Sequence, residues 1–213
     1  MKFASSLTRR DLFRAALPAA VAMKASAASV CRGALCRSQI DFQEFAQDAF
    51  QTQRMSEWCW AASISMIFSF YGHPVSQQRI VSEVYGGPVN MPSGYGARMA
   101  ALLNRSWIDD NGDRFRARLT GAYDPQMGIN LVDNNMLVRE LDQNRPVLIG
   151  AAGHAVVLAM MEYTRAWAGV GQVIRCGVFD PWPGRGARDL TPIEMAPLQA
   201  GGQLQFIATA RIA

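Results

Sequence analysis

The spacing of the apolar residues changes once along the chain, and that change limits the folds open to it. Over residues 58–71, Trp60, Ala61, Ile64, Ile67, Phe68 and Tyr71 recur at intervals of three and four, as on a buried helix face, until Gly72 and Pro74 end the run. Ser76 stands at an N-cap position before a second helix carrying Ile80, Val81 and Val84, which Gly86 and Gly87 stop. A third short helix fits residues 97–103. Beyond the hairpin-type turn Asp110-Asn111-Gly112-Asp113, Phe115, Ala117 and Leu119 alternate with Arg114, Arg116 and Arg118, the pattern of a half-buried strand. That acidic turn has its glycine at the wrong offset for a calcium loop. A helix is expected over 136–141 and strands over 146–150, 155–161, 173–179 and 203–212, with a capping box, Thr191-Pro192-Ile193-Glu194, opening a short helix between the last two strands. Helices first and strands later predict an α+β fold.

At 213 residues the chain suits one domain with a sizeable core. Residues 1–27 read apart from the rest. Arg9-Arg10 is followed by Leu12 and Phe13, then by a weakly apolar run over 15–23, the basic Lys24 and the small triplet Ala25-Ser26-Ala27, and the whole resembles a bacterial twin-arginine export signal. The apolar run is too short to span a bilayer, so cleavage leaves no anchored helix, and a periplasmic or secreted location is expected. Val30 before Cys31 speaks against lipidation at that cysteine. The formal charge of +4 belongs to this leader: without it the chain has sixteen basic and sixteen acidic residues, every basic one an arginine and none in a dense run. A nucleic-acid partner therefore has no compositional support. Residues 28–50 read as a lead-in, with the folded domain over 51–213. Cys31 and Cys36 in that lead-in are placed to close a short disulfide in an oxidising compartment. Four cysteines and two histidines form no zinc pattern, and neither a metal nor another cofactor is expected.

The chemistry centres on Glu57-Trp58-Cys59-Trp60-Ala61-Ala62-Ser63. A thiol is a nucleophile as thiolate, and a helix start, carrying roughly half a positive charge, favours that form. Cys59 stands at such a start, although Glu57 opposes the effect. A base must come from His73 or His154. His73 follows the end of the same helix, roughly 20 Å from Cys59, out of reach. His154, in Gly153-His154-Ala155-Val156, begins an apolar strand among small residues. Asp180, in Phe179-Asp180-Pro181-Trp182, ends the next strand, where a hairpin brings its carboxylate beside the imidazole and fixes the tautomer. Gln53, six residues before Cys59, is a candidate oxyanion-hole donor together with the Cys59 backbone N–H, although Gln51 leaves the register open. Cys176 reads as a buried apolar thiol.

Gln53, Cys59-Trp60-Ala61-Ala62, Gly153-His154-Ala155 and Asp180-Pro181-Trp182, in that order, resemble the papain-like cysteine peptidases. The likeness is strongest to their compact bacterial branch with a Trp-Cys-Trp-Ala-Ala signature, which includes the AvrRpt2-type effectors. The resemblance runs from about Gln51 to the C-terminus. It implies an N-terminal helical lobe bearing Cys59 packed on a C-terminal antiparallel β lobe bearing His154 and Asp180, with the cleft between them as the site. Trp182 holds the place of a tryptophan that shields the ring's bond in that family. Asp180 stands where papain-type enzymes have asparagine, which changes the electrostatics of the pair. The activity implied is cleavage of peptide or protein substrates. A peptidoglycan peptide amidase with the same residues, and a binding module that has lost turnover, are the alternatives. Oligomeric state is not legible.

Overall fold

A computed structural model describes residues 29–213. The leader read over 1–27 lies outside the described residues. The chain begins with β1 (Val30–Arg32), β2 (Leu35–Gln39) and a short helix α1 (Phe42–Glu44) merging into a π-helical turn (Phe45–Ala49). Helices α2 (Cys59–Phe70), α3 (Gln77–Tyr85) and α4 (Gly96–Leu102) follow, then β3 (Ser106–Ile108), β4 (Arg114–Asp124), β5 (Ile129–Asn130) and α5 (Asn134–Asp142). The remainder is β6 (Val147–Ala151), β7 (His154–Ala166), β8 (Gly169–Asp180), β9 (Gly186–Asp189), α6 (Pro192–Met195), a 3-10 turn (Leu198–Ala200) and β10 (Leu204–Ile212). Helices precede most of the strands, as the two apolar periods require, and the fold is α+β.

The strands form one antiparallel sheet in the order β1-β2-β7-β6-β10-β4-β3, with β5 beside β4 and with β8 joining β7 to β9. The long strand β7 is its spine. Along one edge it pairs first with β6, from His154 to Leu158, and then with β2, from Met160 to Thr164. Along the other edge it pairs with β8, Val157 opposite Phe179. Every residue from 155 to 161 is buried. A strand covered on both faces loses its polar alternation, which is why this stretch reads as an unbroken apolar run. Helix α2 packs on it, and two buried serines of that helix find partners: Ser63 Oγ donates to Ala155 O at 3.1 Å and Ser65 Oγ to Val75 O at 2.6 Å. Without them each hydroxyl would be an uncompensated polar group in the core.

Residues 28–50 correct the expectation of a lead-in, because the described part of them belongs to the same core. Cys31 and Cys36 stand opposite each other in the β1–β2 hairpin and form a disulfide. Phe45 is fully buried, its ring 4.6 Å from Phe179 and 5.2 Å from Phe70. The inward residues of β2 are Cys36 and Ser38, small or polar side chains that give little apolar signal, so the strand was invisible as a pattern.

The helix stops behave as expected at Gly86, which adopts φ 75° as the left-handed cap of α3, while the Ser76 hydroxyl makes no cap bond. The capping box of α6 is complete. His73 is tied into the β3–β4 hairpin: Asp109 accepts from its Nδ1 at 3.0 Å and from the Asn111 and Asp113 amides at 2.9 Å each, and the ring stacks on Phe115.

Candidate active site

The tryptophans on either side of Cys59 are anchors. Trp58 and Trp60 are almost fully buried, and their indole N–H groups donate to Val89 O at 2.9 Å and Met91 O at 3.2 Å. Cys59 is left half-buried between them as the first residue of α2, whose N-cap residue supplies no side-chain acceptor. The amides of the first turn therefore keep their donor capacity, the local condition that favours negative charge there.

His154 opens β7 and Asp180 closes β8, so the antiparallel pairing brings both to one end of the sheet. The imidazole Nε2 lies 2.6 Å from Asp180 Oδ1. With Nε2 engaged, Nδ1 is the ring nitrogen left open, and Cys59 lines both of the cavities that His154 lines. Trp182 meets the ring edge-on at 6.1 Å between centroids and stays 43% exposed, a partial cover over the His154–Asp180 bond.

Asp180 has no exposure and is saturated with donors. Besides the imidazole, Oδ1 accepts from the Trp182 amide at 2.8 Å, and Oδ2 accepts from Arg188 Nε at 2.7 Å and Arg185 Nη1 at 3.4 Å. Arg188 also forks onto Glu194, at 2.8 and 3.1 Å. Burial would raise the Asp180 pKa, but these donors outweigh it and hold the carboxyl well below the usual range. For His154, burial alone would lower basicity, and the bond to Asp180, with the proximity of Cys59, carries the pKa from 6.5 up to about 9. Neither arginine was found from the sequence. Both lie in or beside β9, a four-residue strand too short to show a period.

This pairing has a stability consequence. The folded protein holds the His154 proton up to about pH 9, whereas the unfolded chain releases it near the ordinary histidine value of 6.5. Its stabilisation is therefore complete below about pH 6.5 and is lost as pH rises through about 9, a contribution of up to about 3 kcal/mol. Cys176, a buried thiol pushed up to about 12 by burial, adds a decline only above its unfolded value of 9. The melting temperature of the wild type is expected to fall more between pH 6.5 and 9 than that of His154→Gln, whose side chain does not titrate. Parallel curves for the two proteins would refute the pairing.

Gln53 is 6% exposed and sits beneath the turn leading to Cys59. Its Nε2 donates to Met55 O at 3.0 Å and Ser56 O at 2.8 Å, its backbone N–H donates to Pro181 O at 2.8 Å, and its buried Oε1 has no partner within the described protein. The structure thus brings Cys59, His154 and Asp180 to one groove and places Gln53 behind the cleft wall, joining the turn before Cys59 to the loop after Asp180. Gln51 serves elsewhere, donating to Ser65 Oγ and accepting from Gln77 Nε2.

The groove has two sides, both reaching Glu57, Cys59, Gly153 and His154. One is a cavity of ≈ 650 Å³ under Trp182, Arg185, Arg188 and Glu194. The other, ≈ 260 Å³, is walled by Trp60, Tyr95, Met99, Asp124 and Phe206. Among the described residues no cluster of three or more His, Cys, Asp or Glu side chains is arranged to hold a metal ion, and no helix is long and apolar enough to cross a membrane.

The model of the family described as "Peptidase_C39 like family" matches residues 39–191. No curated protein matches the chain. Among solved structures, UfSP from C. elegans matches at 12% identity with a TM-score of 0.47, over 86% of this chain and 35% of that one. The chain thus spans about a third of the length of that protein.

Proposed function

The chain belongs to the Peptidase_C39 like family, and from that premise we propose that it is an exported, papain-like cysteine peptidase hydrolysing peptide bonds through Cys59, His154 and Asp180. The observation that carries this reading is the 2.6 Å bond between His154 and Asp180 in a groove that Cys59 also lines, at the junction of two cavities. The Cys59 thiolate adds to the peptide carbonyl, forming the C–S bond and an oxyanion. His154, held as imidazolium by Asp180, gives its proton to the amine as the C–N bond breaks. Neutral His154 then takes a proton from water as the hydroxide equivalent attacks the thioester. The C–S bond breaks, the acid leaves and the ion pair is restored.

The oxyanion is held by the Cys59 backbone N–H, and Gln53 joins it as a second donor once its side chain leaves the Met55 and Ser56 carbonyls and rotates toward the cleft. The Trp58-to-Ala62 stretch supports placing the protein near the compact bacterial branch that includes the AvrRpt2-type effectors. Export is supported by Arg9-Arg10, by the triplet ending at Ala27 and by the Cys31–Cys36 disulfide, a bond of oxidising compartments.

Treatment with an epoxysuccinyl peptide inhibitor, then intact-mass analysis and peptide mapping, tests the reading. One adduct on Cys59, none on Cys176, and an exported chain beginning at Ala28 are expected. An unlabelled Cys59 in a folded, reduced sample would overturn the assignment of the nucleophile, and a leader still attached would overturn export.

A further inference from the structure

The two sides of the groove differ in charge. The Trp182 side carries Arg185 and Arg188 with Glu57 and Glu194. On the smaller side the charged side chains other than His154 are Glu57 and Asp124, and no arginine lines it.

Asp124, the last residue of β4, is 4% exposed. Its Oδ1 accepts from the Met127 amide at 3.2 Å, and no cationic side chain among the described residues pairs with it. Buried carboxylates are ordinarily paired, because desolvation penalises the unpaired charge. The Oδ2 atom lies against Gly96, where an added Cβ would come within 2.6 Å of it and 2.2 Å of the Phe206 ring. Glycine at 96 is what allows the carboxylate and the ring to close around this end of the cavity. Trp60, Met99 and Phe206 supply apolar walls leading to the acidic end. Apolar walls with one charged terminus suit a long side chain whose methylenes are buried and whose head is cationic.

We propose that the smaller side of the groove is a specificity subsite for a lysine or arginine side chain close to the scissile bond, with Asp124 receiving its charged head. This deepens the peptidase reading and rests on it for the location of the scissile bond.

The test uses the mature full-length chain and hexapeptides of alanine and serine in which Lys, Arg, Gln or Glu is scanned through every position. Hydrolysis by the wild type is expected to favour Lys and Arg over Gln and Glu at one position beside the cleavage point by at least about tenfold in kcat/KM. Asp124→Asn, which keeps the oxygen that accepts from Met127, is expected to lose that preference while still cleaving Gln peptides, and Gly96→Ala to weaken it by displacing the carboxylate. Equal rates for Lys, Gln and Glu at every position, or an undiminished Lys preference in Asp124→Asn, would overturn the proposal. Fluorescence anisotropy of fluorescein-labelled versions on Cys59→Ala keeps the two readings apart. Selective binding of Lys peptides that Asp124→Asn abolishes, in a protein whose wild type hydrolyses none, would sustain the subsite and overturn the peptidase assignment. Unselective binding in that same circumstance would overturn the subsite.

Discussion

Replacing Cys59 by alanine is expected to lower kcat/KM for peptide hydrolysis by a factor on the order of 10⁴ or more, with little change in melting temperature. The two halves of that expectation have different origins. The loss follows because no other cysteine can form the thioester: Cys176 is buried and held as thiol, and Cys31 and Cys36 are joined to each other. The stability is kept because Cys59 is half-buried at a helix start, alanine favours helix, and the anchors of that turn are the indoles of Trp58 and Trp60. His154→Ala should lose activity to a similar degree, since residues that act as a unit each cost nearly the whole effect when removed. The measurement is kcat/KM on the best scanned hexapeptide, beside a thermal melt. Retention of more than about a tenth of the rate by Cys59→Ala would remove the thiol from the chemistry.

Asp180→Ala is expected to damage fold and activity together. Its removal strands the Trp182 amide, the Nε of Arg188 and the imidazole, all of which now bond a carboxylate with no exposure, while the rest of the Arg188 guanidinium stays on Glu194. Breaking a buried charged network from one side costs about 3–5 kcal/mol, a large share of a marginal total. A urea midpoint shifted by less than the equivalent of about 1 kcal/mol would show that the network carries no such weight. Asp180→Asn isolates the charge more closely, because it keeps an oxygen for the Trp182 amide and the imidazole, although its NH2 group then faces Arg188 in place of Oδ2. Its alkaline limit of activity should move down from about 9 toward 6.5, with kcat/KM lower by roughly tenfold to a hundredfold at neutral pH. An unmoved alkaline limb would mean that Asp180 does not sustain the imidazolium.

Much of this architecture was legible in the sequence where one physical rule dominated. The buried face of α2 repeats at helical spacing, β7 is apolar through seven residues, and Gly86 and the Thr191–Glu194 box mark their element ends as local geometry demands. The meeting of His154, and not His73, with Cys59 at one groove was legible because two histidines left a single candidate clear of the far end of α2. What escaped has equally physical causes. The inward face of β2 is a cysteine and a serine, so no apolar alternation announces a strand pairing with the centre of the sheet. The arginines on Asp180 come from a short strand and the loop before it, and only the closed fold shows that their charges converge on one oxygen. The position of Gln53 turned on hydrogen bonds to two backbone carbonyls of the following turn, which side-chain spacing does not encode.

The bond from Ser63 to the carbonyl of Ala155 rivets the helix behind the sulfur to the strand one residue past the imidazole. Reactive geometry in this protein is thereby inherited from its densest region and not from the segments that rim the groove. Rim side chains such as Ser93, Tyr95 and Gln126, none of which bonds Asp180 or the anchoring carbonyls of Val89 and Met91, can be exchanged to change which polypeptides are admitted while Cys59 and His154 keep their spacing, so selectivity and reactivity are assigned to separate side chains of the groove.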